Sequence, residues 1–419
     1  MALRLHPTVR SLGFVSLLTD ASSEMIYPLL PAFLTGTLRA GPAFLGVVEG
    51  TAEAVAAALK VASGRASDRL ARRKPLVLAG YGLSSLVRPL VALATAPVHV
   101  LLVRVLDRVG KGIRGAPRDA LVAQVTPAGE HGRAFGFQRA MDHTGAMIGP
   151  LVASATLWLT GDLRLVFALA AIPAALAVAT LALGVREEPR ERATAATKAG
   201  DPGFAGPAAS RARLEPGLAR YLAVLALFTL GNSSDAFLLL RAQEAGVAVA
   251  LVPAVWSLHH LVKAGLSTWA GALSDRVGRR RAITLGWSVY ALAYAGFAAA
   301  RSPLAIVALF AFYGLFHAFT EGAERALVAA LAAEESRGRA FGLFHALTGA
   351  ALLPASVLTG LLWQRFGAAA ALGTGALLAA LAALGLLLFV PEPDAAARRA
   401  LGGASPRAVP PCKLRRHER

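Results

Sequence analysis

Apolar runs of span length recur along the whole chain, at residues 11–34, 43–64, 75–94, 98–115, 134–157 and 165–183, then again at 220–240, 247–273, 282–300, 303–329, 340–363 and 369–390. A transmembrane helix needs roughly 20 mainly apolar residues, so the pattern predicts about twelve spanning helices and no strands. Between the two series the chain turns polar and rich in Glu, Arg, Gly and Pro, the composition of a hydrated linker. The expected organisation is a six-helix bundle at 1–185, a cytoplasmic linker at 186–217, a second six-helix bundle at 218–392 and a cytoplasmic tail at 393–419. The first apolar run has full span length and contains Asp20, Glu24, Pro28 and Pro31, so it reads as a mature helix and not as a cleaved signal.

The two series are related. GRASDRLARRK at 64–74 returns as GALSDRVGRRR at 271–281, HGRAFGF at 131–137 returns as RGRAFGL at 337–343, and ALVA at 120–123 returns at 326–329. The offsets are 207, 206 and 206 residues. Three matches in one register make chance an unconvincing source and indicate a parallel repeat, with any substrate cavity between the halves near the bilayer midplane.

Composition agrees with a membrane protein: 56% of residues are hydrophobic and 16% charged, with a mean hydropathy of +0.56. The net charge of +18 would suggest nucleic acid in a soluble protein. Here the basic residues instead cluster in alternate loops, at Arg69, Arg72, Arg73 and Lys74, at Arg276 and 279–281, and at Arg337 and Arg339, while the intervening loops carry little charge. That is the positive-inside pattern, which places both termini and the basic loops in the cytoplasm of an inner-membrane protein in contact with the lipid bilayer. Cys412 is the single cysteine, which excludes an internal disulfide and a cysteine-based metal cluster.

On these motifs the chain resembles the major facilitator superfamily along nearly its whole length, and within it a bacterial branch similar to drug/proton antiporters. The resemblance implies an all-α membrane protein, two six-helix bundles related by a pseudo-two-fold axis. Gly64, Asp68, Arg69, Arg72 and Arg73, and their repeats Gly271, Asp275, Arg276, Arg279 and Arg280, match the family's loop between the second and third helices. The glycines would allow close packing, and the arginines would hold carboxylates on the facing bundle until the halves rock apart. Arg108 opens a segment, RVGKG, resembling a motif associated with proton coupling. Gly145, Gly149 and Pro150 resemble the glycine-rich helix of the family's antiporters, with Ala153 and Ser154 in place of the usual final glycines; such a helix would be a kinked gate element. DRVGKGIRGAPRDAL at 107–121 with TEGAERALVA at 320–329 points to the same bacterial branch.

Acidic residues inside spans are the sharper chemical signal. Asp20 and Glu24 lie one turn apart on the first helix, Glu49 and Glu53 one turn apart on the second, and Asp235 lies beside Asn232 on the seventh. An ionised carboxylate in lipid is costly, so these are expected to face a cavity and exchange protons; the alternative is pairing with an interior cation such as Arg88, Arg104 or Lys60. Arg104, Asp107, Arg108 and Lys111 share one helix face. From the second half His259, Lys263, Tyr313, His317 and Glu321 have helical spacing suited to a cavity wall, although Glu321 with Arg325, and Asp142 with Arg139, also fit ordinary intrahelical pairs.

Gly110-Lys111 lacks the spacing of a phosphate loop, and neither HExxH nor GxSxG occurs, so no enzyme, ATP-driven step, metal site or cofactor is expected. The expected partners are a small-molecule solute and protons, with a monomer as the expected state. Three functions remain open: proton-coupled export of a small organic or amphipathic compound, proton-linked uptake of a nutrient or metal chelate held by the cationic faces, and a non-transporting sensor or lipid-handling protein.

Overall fold

The computed structural model describes residues 5–70, 72–127, 130–187, 214–332 and 336–392. Most of the expected linker and the tail with Cys412 lie outside them, and so do the side chains of Asp68, Arg69, Asp275 and Arg337. Within this set the chain is helical without strands.

Twelve helices of span length follow one another. They are α1 (Pro7–Ile26), α2 (Pro42–Arg69), α3 (Lys74–Leu93), α4 (Pro97–Gln124), α5 (His131–Thr160) and α6 (Leu163–Gly184). The second series is α7 (Pro216–Glu244), α8 (Val252–Val277), α9 (Arg279–Ala299), α10 (Pro303–Leu331), and α11 (337–366) and α12 (368–389), which meet at Gly367 with φ +83°. Proline stands in the first turn of α1, α2, α4, α7, α8 and α10, where its missing N–H costs no bond. Seven stretches, the last covering both α11 and α12, are long and apolar enough to cross a membrane by length and composition. The helices outside that set, α1, α2, α4 and α5, carry the interior charges of the first half apart from Arg88 on α3.

The repeat foreseen in the sequence holds in three dimensions. Arg73 Nη1 donates to the Ala120 carbonyl at 3.2 Å and Arg279 Nη1 to that of Ala326 at 3.1 Å; the acceptors are 206 residues apart and the donors also, so in the second half the side chain is supplied by the residue before the motif counterpart Arg280. The Arg73 amide donates to Glu187 and the Arg280 amide to Glu392. These described contacts stay within one half. The carboxylates they reach are Glu187 and Glu392, just beyond the ends of α6 and α12. The motif glycines are not tightly packed either, since a Cβ would stand 3.5 Å from Ala116 at Gly64 and meet nothing at Gly271.

The start of α1 lies beside the end of α6, by the Ser11–Gly184 hydrogen bond, and the start of α7 beside the end of α12, where a Cβ at Gly217 would stand 3.1 Å from Pro391. The halves meet along two seams, α2 against α11 and α5 against α8. A Cβ at Gly46 would lie 2.2 Å from the Ser356 carbonyl oxygen and one at Gly360 2.6 Å from that of Pro42, so the α2–α11 seam is closed at the end distant from the termini. Large apolar side chains such as Leu86, Trp158, Leu183 and Leu304 point outward, each at least 70% exposed, the face a bilayer covers.

Candidate functional site

Three helices of the first half bring buried ions together. The Arg104 guanidinium grips both Glu49 oxygens at 2.8 and 2.9 Å. Arg88 donates to Asp107 at 2.9 Å and, through its other nitrogen, to Ser22 Oγ and the Thr19 carbonyl. Arg108 meets Glu53 at 2.9 Å and Asp107 at 3.5 Å. Asp107 thus touches Arg88, Arg104 and Arg108 at once. Three cations face three carboxylates, and nearly all of these side chains are buried, Glu53 excepted at 35% exposed. A buried ion needs this degree of compensation.

Among the described residues, Asp20, Glu24 and Asp235 form no ion pair. Glu24 accepts from the Trp256 indole N–H at 2.8 Å, and Asp235 from the Tyr313 hydroxyl at 2.7 Å. Asp20 makes no described hydrogen bond or ion pair; it feels the like charges of Asp142 and Glu24 and the opposite charges of Lys111 and Arg114 on α4. Glu49 also accepts from Ser234 across the halves at 3.4 Å, and Tyr27 OH shares that serine.

These groups border a cavity of about 280 Å³ between the halves, lined from the first by Glu24, Tyr27, Glu49, Glu53 and Arg108, and from the second by 232–235, Tyr313, His317, Leu352 and Ser356. Of the residues anticipated for it, Asn232, Asp235, Tyr313 and His317 reach the wall. Arg88 and Arg104 stand behind it in the ion layer. Asp142 is part-buried beside Arg139 at 3.7 Å, and His259 is stacked between Trp256 and Tyr313 with centroids 4.9 and 5.1 Å away. Lys263 binds Glu321 at 2.6 Å, so the pair crosses from α8 to α10 and displaces the anticipated Glu321–Arg325 pairing. Among the described residues no group of three or more His, Cys, Asp or Glu could hold a metal.

Gly145 and Gly149 do make close contact. A Cβ there would stand 2.2 Å from the Leu17 carbonyl oxygen and 2.3 Å from that of Ala21. The antiporter-like glycines therefore press α5 onto the turns of α1 that carry Asp20 and Glu24. α5 runs through Pro150 as one helix.

Sequence reasoning missed Tyr27, Trp256, Ser234, Leu352 and Ser356. Tyr27 had a signal, standing three residues beyond Glu24, and Trp256 stands one turn before His259 and His260. Ser356 and Leu352 had none, since only the α2–α11 seam brings them to the site.

The architecture and a buried ion layer around a central cavity are those of a solute carrier, and comparison with known proteins decides which. The family model described as Major Facilitator Superfamily matches residues 12–262 and 222–417. The chain belongs to the major facilitator superfamily. It is 34% identical over 367 residues to an uncharacterised transporter of the major facilitator type from Methanocaldococcus jannaschii, covering 86% of this chain and 89% of the relative. A multidrug resistance protein of Photorhabdus laumondii is 31% identical over 150 residues, 35% of this chain and 37% of that protein. A solved peptide transporter mutant in complex with alafosfalin superposes with a TM-score of 0.76 at 15% identity, over 94% of this chain and 96% of that one, which bears on fold alone. As a major facilitator the protein is a multi-pass secondary transporter of small molecules and not an enzyme.

Proposed function

We propose that this major facilitator exports a small organic or amphipathic compound in exchange for protons, with Asp20 and Glu24 carrying the proton. The observation that carries this reading is the division among the interior carboxylates. Glu49, Glu53 and Asp107 are held by arginines, so a proton arriving there would break a buried pair at a cost of several kcal/mol. Asp20 and Glu24 have no such partner. They sit where Gly145 and Gly149 bring α5 against α1, so a change of charge on them bears directly on a seam between moving helices. The match to a multidrug resistance protein supports export.

The cationic faces that would favour uptake of an anion are occupied, Arg88 by Asp107, Arg104 by Glu49 and Lys263 by Glu321. The membrane is the inner membrane, with the terminus end of the bundle and its basic loops in the cytoplasm, by the positive-inside pattern. In respiring everted vesicles holding an acid-inside pH gradient, adding the exported compound dissipates the gradient, read by a pH-sensitive acridine dye. Net inward accumulation of the same compound in right-side-out vesicles contradicts export.

A further inference from the structure

The second cluster of unused polar groups lies in α7. Its helix stops at Gly231 and resumes at Ala236, leaving Asn232 at φ −94°, ψ 81° and residues 232–234 without helical structure in the middle of a span. Unwound backbone at membrane depth is tolerated where it lines a cavity or is buried in protein, and all of 232–235 line the central cavity. The break is not a copy of one in the repeat. SSE at 22–24, the first-half segment that SSD at 233–235 echoes, lies inside the unbroken helix α1.

Several oxygens of this segment are unspent, although the carbonyls of Ser234 and Asp235 accept from the first turn of the resumed helix. The Gly231 carbonyl accepts from Tyr290 OH at 2.9 Å, the Asn232 amide donates to Thr229 and the Ser234 amide to Ser356 Oγ. Among the described residues, nothing donates to the carbonyls of Asn232 and Ser233 or to the Asn232 side chain. Ser233, 3% exposed, has an Oγ outside hydrogen-bond distance of any partner, with the Tyr294 hydroxyl, also unpartnered, as its neighbour. Asp235 adds one carboxylate oxygen beyond the one Tyr313 occupies. A buried, unpartnered hydroxyl in a native structure calls for an explanation.

From this geometry we infer that the unwound turn of α7 is a binding site for a small alkali cation, sodium, held by Asp235, Ser233 Oγ, Asn232 and the free carbonyls. Hard cations take oxygen ligands, and unwound carbonyls in a broken transporter helix serve this purpose in general. One carboxylate among neutral oxygens suits a single positive charge. The arginines nearest the cavity do not compete, being paired with Glu49 and Glu53. The inference goes beyond the export reading and does not require it.

The test uses the detergent-purified full chain at constant ionic strength, with choline chloride replaced stepwise by sodium, lithium or potassium chloride. Saturating sodium is expected to raise the melting temperature by about 3 °C, because an ion that binds only the folded protein stabilises it; lithium acts similarly, and potassium does not. Asp235→Asn abolishes the shift, and the smaller change Ser233→Ala moves its half-saturation at least several-fold upward even where Asp235→Asn fails to fold. No sodium-specific shift in the unaltered protein, or one unchanged in Ser233→Ala, overturns the site. Because the measurement contains no transport step, its failure leaves the proton-exchange reading intact.

Discussion

The two halves share a fold and a repeat register, yet handle charge in opposite ways. The first buries arginine–carboxylate pairs on α2, α3 and α4 and leaves Asp20 and Glu24 apart from them. The second places almost no cation in its interior: its polar groups are aromatic hydroxyls, indoles and imidazoles around Asp235, and its Lys263–Glu321 pair opens to solvent, with Glu321 45% exposed. SSE at 22–24 on the first helix is echoed by SSD at 233–235 on the seventh, which sets Glu24 against Asp235 and Asp20 against Gly231. Duplication supplied the scaffold, and the chemistry belongs to one half at a time. An ion layer that cannot change charge cheaply makes a rigid wall; a carboxylate with only an indole or a phenol beside it can change charge and move.

Four experiments probe that contrast, in decreasing order of expected effect. Arg104→Met leaves Glu49 buried without its partner and lowers stability by about 3–5 kcal/mol, seen as a large fall in melting temperature. Adding Glu49→Met restores most of it. Gly149→Ala, with a Cβ 2.3 Å from the Ala21 carbonyl oxygen, forces α5 off α1 at a cost of about 1–3 kcal/mol, whereas Gly271→Ala in the second half meets open space and changes stability by no more than about 1 kcal/mol, toward stabilisation; thermal unfolding of the two variants side by side checks this. Trp256→Phe deprives Glu24 of its one donor from the facing half and weakens closure of the distal end by about 1–2 kcal/mol. A cysteine at Ser356, in a Cys412→Ser background, then reacts faster with an impermeant maleimide added on the distal side. Lys263→Ala breaks a half-exposed pair and costs less than about 1 kcal/mol, again by thermal unfolding. Equal losses for Arg104→Met and Lys263→Ala would erase the contrast between the halves.

Much of this was legible in the sequence. The span pattern gave the helices to within a turn at most ends, and the shared register of three motifs revealed the duplication that Arg73 and Arg279 display in their matching contacts. α4 departs most: its apolar run ends near Gly115, but the helix continues to Gln124, because charged residues outside the apolar zone can still continue a helix. The membership of the ion layer was visible, as Arg104, Asp107 and Arg108 share a face. Its pairings were not, because partners on other helices, such as Glu49 for Arg104 and Arg88 for Asp107, are set by packing. The same reason undid Glu321–Arg325. An intrahelical pair contributes a few tenths of a kcal/mol, less than the short contact Lys263 offers from α8. Tyr27, Ser234 and Trp256 join the site across the interface of the halves, where the register of one helix against another leaves no trace in local spacing.

The most direct measurement is counterflow in proteoliposomes under an imposed pH gradient, using an exported compound identified by the everted-vesicle assay, with Asp20→Asn/Glu24→Gln set against the unaltered protein. The account predicts that the double variant still binds the compound and exchanges it down its own gradient but no longer responds to the pH gradient. Undiminished pH-driven transport in that variant would contradict it, and would move the proton to the second half or to the arginine-paired carboxylates.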